Sequence, residues 1–258
     1  MSDLIRVLVN PPPLININQK LIVFWSAKSG STFITKWFFY QADIKVTGQH
    51  SIGIQDYRSN VYYNSDLYKR GVKEYQNNPK EFNHIKFVRN PYDRAVSSYL
   101  HFLRKANLNH SIAKELLGVD KIPRRFRFSF RQFLGLLKDV DIKSCNIHWR
   151  SQVHPLERSG LIKTKIIRLK ESIAEIPKIE EVFNLKESGK TRLANYKNRK
   201  HHSNKADKDY PNFIGNRRYN WDTIKDSPSS DLFYNISLRR EVFRLYKEDF
   251  TFYNFEKI

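Results

Sequence analysis

The sequence predicts an α/β fold with a mainly parallel β-sheet flanked by helices. Three stretches support this, each an apolar run that passes through a short loop into a helical pattern. They are "LIVFWS" (Leu21 to Ser26) before "SAKSGSTF", the strand of "HIKFVRNPYDRAVSSYLHFLRK" (His84 to Lys105), and "KTKIIRLKES" (Lys163 to Ser172) before a helix from about Ile173. Strands alternating with helices pack as a layered domain whose parallel strands are joined by right-handed crossovers. Ligands of such sheets sit at the carboxyl ends of the strands, where the first two loops leave.

Taken in order, "VNPPPLININQK" (Val9 to Lys20) is an extended lead, because consecutive prolines exclude helix. "LIVFWS" is continuously apolar and rich in β-favouring residues, the pattern of a strand buried on both faces. "TFITKWFFYQ" then reads as a helix with its apolar residues crowded on one side. In the second unit Ile85 to Val88 form a short strand. Asn90 and Pro91 start a helix, since proline at the first helical position loses no needed hydrogen bond. Tyr92, Ala95, Val96, Tyr99, Leu100 and Leu103 fall on one stripe, with Arg94, Ser97 and His101 away from it. His84 reads as a core residue of its strand. Residues 185–230 are polar, basic and punctuated by Gly, Pro and Asn, and so predict loops and short helices. "ISLRREVFRLYKEDFTFYNF" closes the chain with a helix that places Val242, Leu245 and Tyr246 on one side.

A chain of 258 residues, 40% hydrophobic, can close one sizeable core, so a single domain over 1–258 is expected, led by the extended segment 1–20. No apolar run approaches the roughly 20 residues that cross a bilayer, and "MSDLIRVLVNPPP" lacks the basic-then-apolar pattern of a secretory signal. A soluble cytoplasmic protein is expected. One cysteine, Cys145, excludes an intrachain disulfide framework and a cysteine-cluster zinc site. The net charge of +20, from 46 Lys+Arg against 26 Asp+Glu, points to nucleic acid, a membrane surface or an anionic cofactor and substrate. Its densest piece is "KIPRRFRFSFR" (Lys121 to Arg131). Arginines interleaved with aromatics suit a nucleic-acid or glycan surface, and equally a half-buried element with one solvated basic face.

Two loops bear on chemistry. In "SAKSGSTF" the glycine lets backbone amides turn inward, the following helix adds the positive end of its dipole, Ser31 and Thr32 can donate hydroxyl hydrogen bonds, and Lys28 adds a mobile charge. These groups suit a phosphate-like oxyanion. The loop nevertheless departs from GxxxxGK[ST], in which the lysine follows the last glycine. In "FVRNPYDRAVSSY", Arg89 at a strand end and Ser97 on the next helix can clamp a second phosphate. A ligand with two phosphate groups follows.

This pair of loops resembles the cofactor loops of the sulfotransferases that use 3′-phosphoadenosine 5′-phosphosulfate (PAPS). The resemblance implies a fold like that of the P-loop nucleotide-binding proteins. It assigns Lys28, Ser29, Gly30, Ser31 and Thr32 to the 5′-phosphosulfate, and Arg89 and Ser97 to the 3′-phosphate. Ala27 stands where proline usually precedes the lysine. Three more stretches are similar to the carbohydrate-type branch: "GQHSIG" (Gly48 to Gly53), "NIHWRSQ" (Asn146 to Gln152) and "YKEDFTFYNF". Lys170 and Glu171 depart from the arginine, hydrophobe and acid usual after the third strand.

The resemblance implies in-line transfer of a sulfuryl group to a hydroxyl of a saccharide or glycolipid, leaving 3′-phosphoadenosine 5′-phosphate (PAP). Lys28 would stabilise the leaving charge and His50 would act as base, with His148 as its rival. His148 and Trp149 would shape an acceptor or cofactor wall. Arg199 and His202 in "RKHHSNK" would close a basic lid, unless that run is simply solvated. The aromatics and arginines of Lys121 to Arg131 could line a saccharide cleft. No metal and no nucleic acid are expected, and peripheral contact with a membrane is compatible with the charge. Two other readings stay open. A small-molecule kinase would need a glycine-lysine loop and a magnesium-binding acid, neither evident here. A non-catalytic polyanion binder would explain the charge but not the two-loop spacing.

Overall fold

The computed structural model describes residues 11–46, 53–105, 110–120, 122–123, 125–189, 210–224 and 228–257. Its strands are β1 (Leu14–Asn16), β2 (Leu21–Phe24), β3 (Asn83–Val88) and β4 (Lys165–Arg168). Its helices are α1 (Ser31–Gln41), α2 (Ile54–Tyr57), α3 (Asp66–Asn77), α4 (Pro91–Lys105), α5 (His110–Leu117), α6 (Phe130–Leu137), α7 (Pro155–Arg158), α8 (Ser172–Val182), α9 (Ile236–Leu245) and α10 (Lys247–Phe252). The chain groups into two compact units, residues 1–89 with 154–199 and residues 90–153 with 200–258. No described helix is long and apolar enough to cross a membrane.

The first unit holds the sheet, in the order β1-β2-β3-β4. β2, β3 and β4 are parallel, as the alternating pattern requires, and β1 is antiparallel to β2. The extended lead therefore contributes a paired strand. It turns back through a bond from Lys20 N to the Ile17 carbonyl, while Asn16 Oδ1 accepts from Asn18 N. All four residues of β2 are buried, each worth about 1.5–3 kcal/mol of apolar transfer.

α1 is covered on more than the one side its sequence suggests, because several elements enclose it. Trp37 packs on Phe87 of β3, Phe38 and Phe39 meet Tyr62, and Trp37 Nε1 donates to Glu180 of α8 at 2.7 Å. α2 runs into a wider π-turn over Arg58–Tyr62. α3 begins at Ser65, whose Oγ accepts from Tyr68 N, and buries Tyr68, Gly71 and Tyr75 in one stripe. A Cβ on Gly71 would stand 3.0 Å from Ile15 Cγ2, so β1 and α3 approach closely there. His84 is only half-buried, with Tyr75 Oη at 3.0 Å.

Inside this unit lies a charged cluster that hydrophobic patterning does not show. Lys86, at the centre of β3 and 1% exposed, stands 3.7 Å from Glu157. Glu157 also accepts from His154 N at 2.9 Å and from Thr164 Oγ1 at 2.7 Å. His154 Nδ1 accepts from Leu156 N, which leaves the ring proton on Nε2. Burial first, then the Lys86 and Arg158 charges, push the His154 pKa down to about 2.

The second unit is helical. Asn90 Oδ1 accepts from Tyr92 N, capping α4 ahead of Pro91 as the sequence suggests. The expected stripe is buried at Tyr92, Ala95, Val96, Tyr99 and Leu103, while Leu100 is half-exposed and burial widens to Arg94, Ser98 and Phe102. The buried polar pair has partners inside the unit that helical periodicity cannot anticipate. Tyr99 Oη donates to the Phe128 carbonyl and Tyr234 Oη to the Tyr92 carbonyl. α6 opens with a capping box of Ser129 and Gln132.

His154 stays neutral in the folded chain and protonates freely once unfolded, so folding is stabilised above pH 6.5 and loses ground as pH falls from there toward 2. Urea unfolding between pH 6.5 and 5 should show a loss from this group whose slope steepens from about half of the one-proton limit toward that full limit, about 1.4 kcal/mol per pH unit. His154→Asn, which can still cap α7, should flatten that part of the slope.

Candidate functional site

The first loop leaves the carboxyl end of β2 and opens α1. Lys28 (φ 65°) and Gly30 (φ 84°) both adopt left-handed backbone, so the chain reverses within three residues. Gly30 is required twice over. Its φ disfavours a side chain, and a Cβ would come within 2.5 Å of Leu169 Cδ1, just beyond β4. Not every amide of the loop is left for a ligand, because Ser29 N donates to the Ser26 carbonyl and the Ser29 side chain is fully buried. No side chain caps α1 and no acid occupies its first turn, so the positive end of the helix is left for an anion.

Gln55 gives the hydroxyls their direction. Its Nε2 donates to Ser31 Oγ at 3.3 Å and to Thr32 Oγ1 at 2.9 Å. Each hydroxyl accepts from the amide and keeps its own proton to donate elsewhere. One turn further on, Arg58 Nη1 donates to Thr35 Oγ1, and its guanidinium lies 3.7 Å from the Trp25 ring centroid. Arg58 is 6% exposed and has no carboxylate partner among the described residues. Burial lowers its pKa, yet the cation next to α1 remains. Neither Gln55 nor Arg58 was singled out from the sequence. Their spacing of three residues on a short helix was the available signal, and it has meaning only once α2 lies along α1.

Arg89, directly after β3, donates from Nη1 to the Lys28 carbonyl at 3.1 Å. The structure thus brings Lys28, Ser29, Gly30, Ser31, Thr32 and Arg89 together in the first unit. Glu171 stands 3.7 Å from Arg168 in an exposed pair. His50, Arg199 and His202 lie outside the described residues.

Ser97, His148 and Trp149 belong to the second unit. Ser97 is half-exposed in the second turn of α4. Trp149 is fully buried and packs edge-on against Phe133, which makes it a core residue of its unit. His148 is half-buried and its ring stacks on His101 at 3.8 Å. Asn146 Oδ1 accepts from His148 N, which fixes that atom as the oxygen, and it lies 2.8 Å from His148 Nδ1. Nδ1 therefore carries a proton, and in the neutral ring this leaves the lone pair on Nε2, the tautomer of a proton acceptor.

The backbone around His148 is held by four side-chain donors. Ser98 Oγ donates to the His148 carbonyl at 2.6 Å, Tyr246 Oη to Trp149 and Tyr253 Oη to Gln152, with a longer bond from Arg94 to Ile147. Asp249, fully buried, accepts from Ser151 Oγ, Gln152 N and Gln152 Nε2. Burial raises its pKa, opposed by Arg94 and these hydrogen bonds. Among the described residues no group of three or more His, Cys, Asp or Glu side chains could hold a metal ion.

The polarity of the hydroxyls gives a direct test. Gln55→Glu turns a donor into an acceptor and adds a negative charge, so it should weaken calorimetric binding of an oxyanion such as pyrophosphate by at least about tenfold. Gln55→Met, which removes only the donor, should cost clearly less.

Comparison with known proteins bears on the same residues. Neither the curated proteins nor the solved structures yield a significant match. A sequence model described as "Sulfotransferase family" matches residues 14–256, from the first strand to four residues past the last helix, and includes both loops. With an α/β fold, a parallel sheet and an anion-ready loop inside that match, the chain belongs to the sulfotransferase family.

Proposed function

We propose that the chain is a PAPS-dependent O-sulfotransferase that acts on a hydroxyl of a saccharide or glycolipid. The observation that supports the donor is the arrangement around α1. Two hydroxyls are set by Gln55 to donate, next to an uncapped helix start and the half-buried Lys28. Such donors fit the oxygens of a phosphosulfate, and the donor set is neutral or positive throughout.

PAPS, when bound, supplies the sulfuryl group and departs as PAP. The chain's part is positioning and electrostatics. Ser31, Thr32 and the first amides of α1 would orient the 5′ end. Lys28 would neutralise charge that gathers on the bridging oxygen, a kind of preorganised stabilisation commonly worth several kcal/mol. Arg89, braced on the loop through the Lys28 carbonyl, would meet the 3′-phosphate. Arg58 would add a fixed positive charge in a region of low dielectric. Deprotonation of the acceptor falls to a histidine, by the resemblance His50.

Calorimetry with PAP in the absence of metal, with ATP and a DNA oligonucleotide as competitors, tests the donor. Micromolar binding that needs the 3′-phosphate is expected, and tighter binding of magnesium-ATP or of DNA would overturn the reading. Lys28→Ala should lower turnover at least about a hundredfold while the melting temperature holds. His50→Ala should lower kcat far more than it weakens PAP binding. If His148→Ala does this and His50→Ala does not, the base is His148.

A further inference from the structure

The arginine-aromatic segment is absorbed by none of the chemistry above, and the structure gives it a partner segment. Phe128 and Tyr219 exchange backbone hydrogen bonds of 2.8 and 2.7 Å. Arg131 N donates to the Gly215 carbonyl and Arg131 Nε to Asn216 Oδ1. Two stretches almost ninety residues apart in sequence thus run antiparallel within the second unit. Phe126 and Trp221 each lie two residues from this bridge, one on either stretch, and the Phe126 ring packs on Phe128 at 4.6 Å.

Phe128 and Phe130 are buried, as half of the alternation suggests. Phe126 is 49% exposed and Trp221 is 42% exposed. Around them Arg125, Arg127, Arg217 and Arg218 are exposed, and among the described residues none has a carboxylate in ion-pair range. Arg104, also exposed, lies over the Trp221 ring at 5.5 Å. The neutral polar groups of the strip are engaged within it. Asn216 accepts from Arg131, and Asn220 and Thr223 bond to each other at 2.7 Å. Beside the exposed Asp222, the surface offered to a partner is mainly guanidinium and aromatic.

We propose that this strip is a docking surface for an anionic lipid bilayer. Charge complementarity calls for an anionic occupant, and half-exposed aromatic tips among the guanidinium groups favour a lipid interface. Guanidinium groups bond lipid phosphates, half-exposed aromatic tips enter the headgroup layer, and neither needs the neutral donors and acceptors that would read sugar hydroxyls. The Arg104–Trp221 pair places a cation at the level where an interfacial tryptophan meets headgroups. Docking there would bring the enzyme to acceptors held in a membrane.

Sedimentation of the full chain with phosphatidylcholine vesicles, with and without phosphatidylserine, tests this at low and high salt. Binding at least about tenfold stronger to the anionic vesicles, and lost at high salt, is expected. Arg125→Gln with Arg127→Gln should lower the partition coefficient about twenty-five-fold, at about fivefold per arginine. Phe126→Ser with Trp221→Ser should weaken the binding that survives moderate salt, and these exposed substitutions should leave the melting temperature unchanged. Absence of a vesicle preference, or vesicle binding that both double variants retain, overturns the proposal. So does stronger retention by a DNA duplex or a heparin oligosaccharide than by anionic vesicles. Partitioning is read without turnover, so its failure leaves the sulfotransferase reading intact.

Discussion

The parallel register between β2 and β3 is the constraint on which the first unit depends. Leu21 pairs with Asn83 and Phe24 with Lys86, so the two strands finish at nearly the same level. The Lys28 loop and Arg89 therefore leave from one edge of the sheet, and a side chain reaches a carbonyl 61 residues away in sequence. A slip of one residue would turn every side chain of β3 to the other face, including buried Lys86. Continuous burial of β2 and of the second half of β3 makes such a slip costly.

Rigidity at the loop comes from holding α1 at both ends. At its start, Gln55 and Arg58 bond the hydroxyls of Ser31, Thr32 and Thr35. Toward its end, buried Glu180 accepts from Trp37 and Gln41, and its other oxygen accepts from Ser188 N. A donor set on a helix fixed in this way does not have to be ordered by the ligand, which lowers the entropic cost of binding. Buried charge is the means in several places, and its net effect on stability is small or unfavourable unless each group is satisfied. Glu157 meets that condition through Lys86, Thr164 and the His154 amide. Arg58 meets it only through a ring face and a hydroxyl, which makes it the group best suited to receive an anion's field.

In the second unit, two islands of family resemblance prove to be one structural device. "NIHWRSQ" offers its backbone carbonyls, and "YKEDFTFYNF" supplies Tyr246, Asp249 and Tyr253 to bind them and the neighbouring amide. The tyrosine and aspartate spacings place three polar tips along one short stretch of backbone. His148 inherits its position from this scaffold and its tautomer from Asn146.

Elements whose cause is local are already set by the order of residues. Proline and asparagine at 90–91 start α4, the apolar run of β2 needs burial on both faces, and glycine at 30 permits the turn before α1. The lysine-first loop and the later arginine were also legible, and the family match spans both. Packing settles the rest: the lead pairs as β1, Arg94 and Ser98 turn inward, Trp149 is core, and Gln55 and Arg58 serve the loop. Each of these depends on a partner distant in sequence. Periodicity reports how a helix or strand divides between apolar and polar faces, but a polar side chain is buried when a hydrogen-bond partner waits for it, and only packing brings that partner into reach.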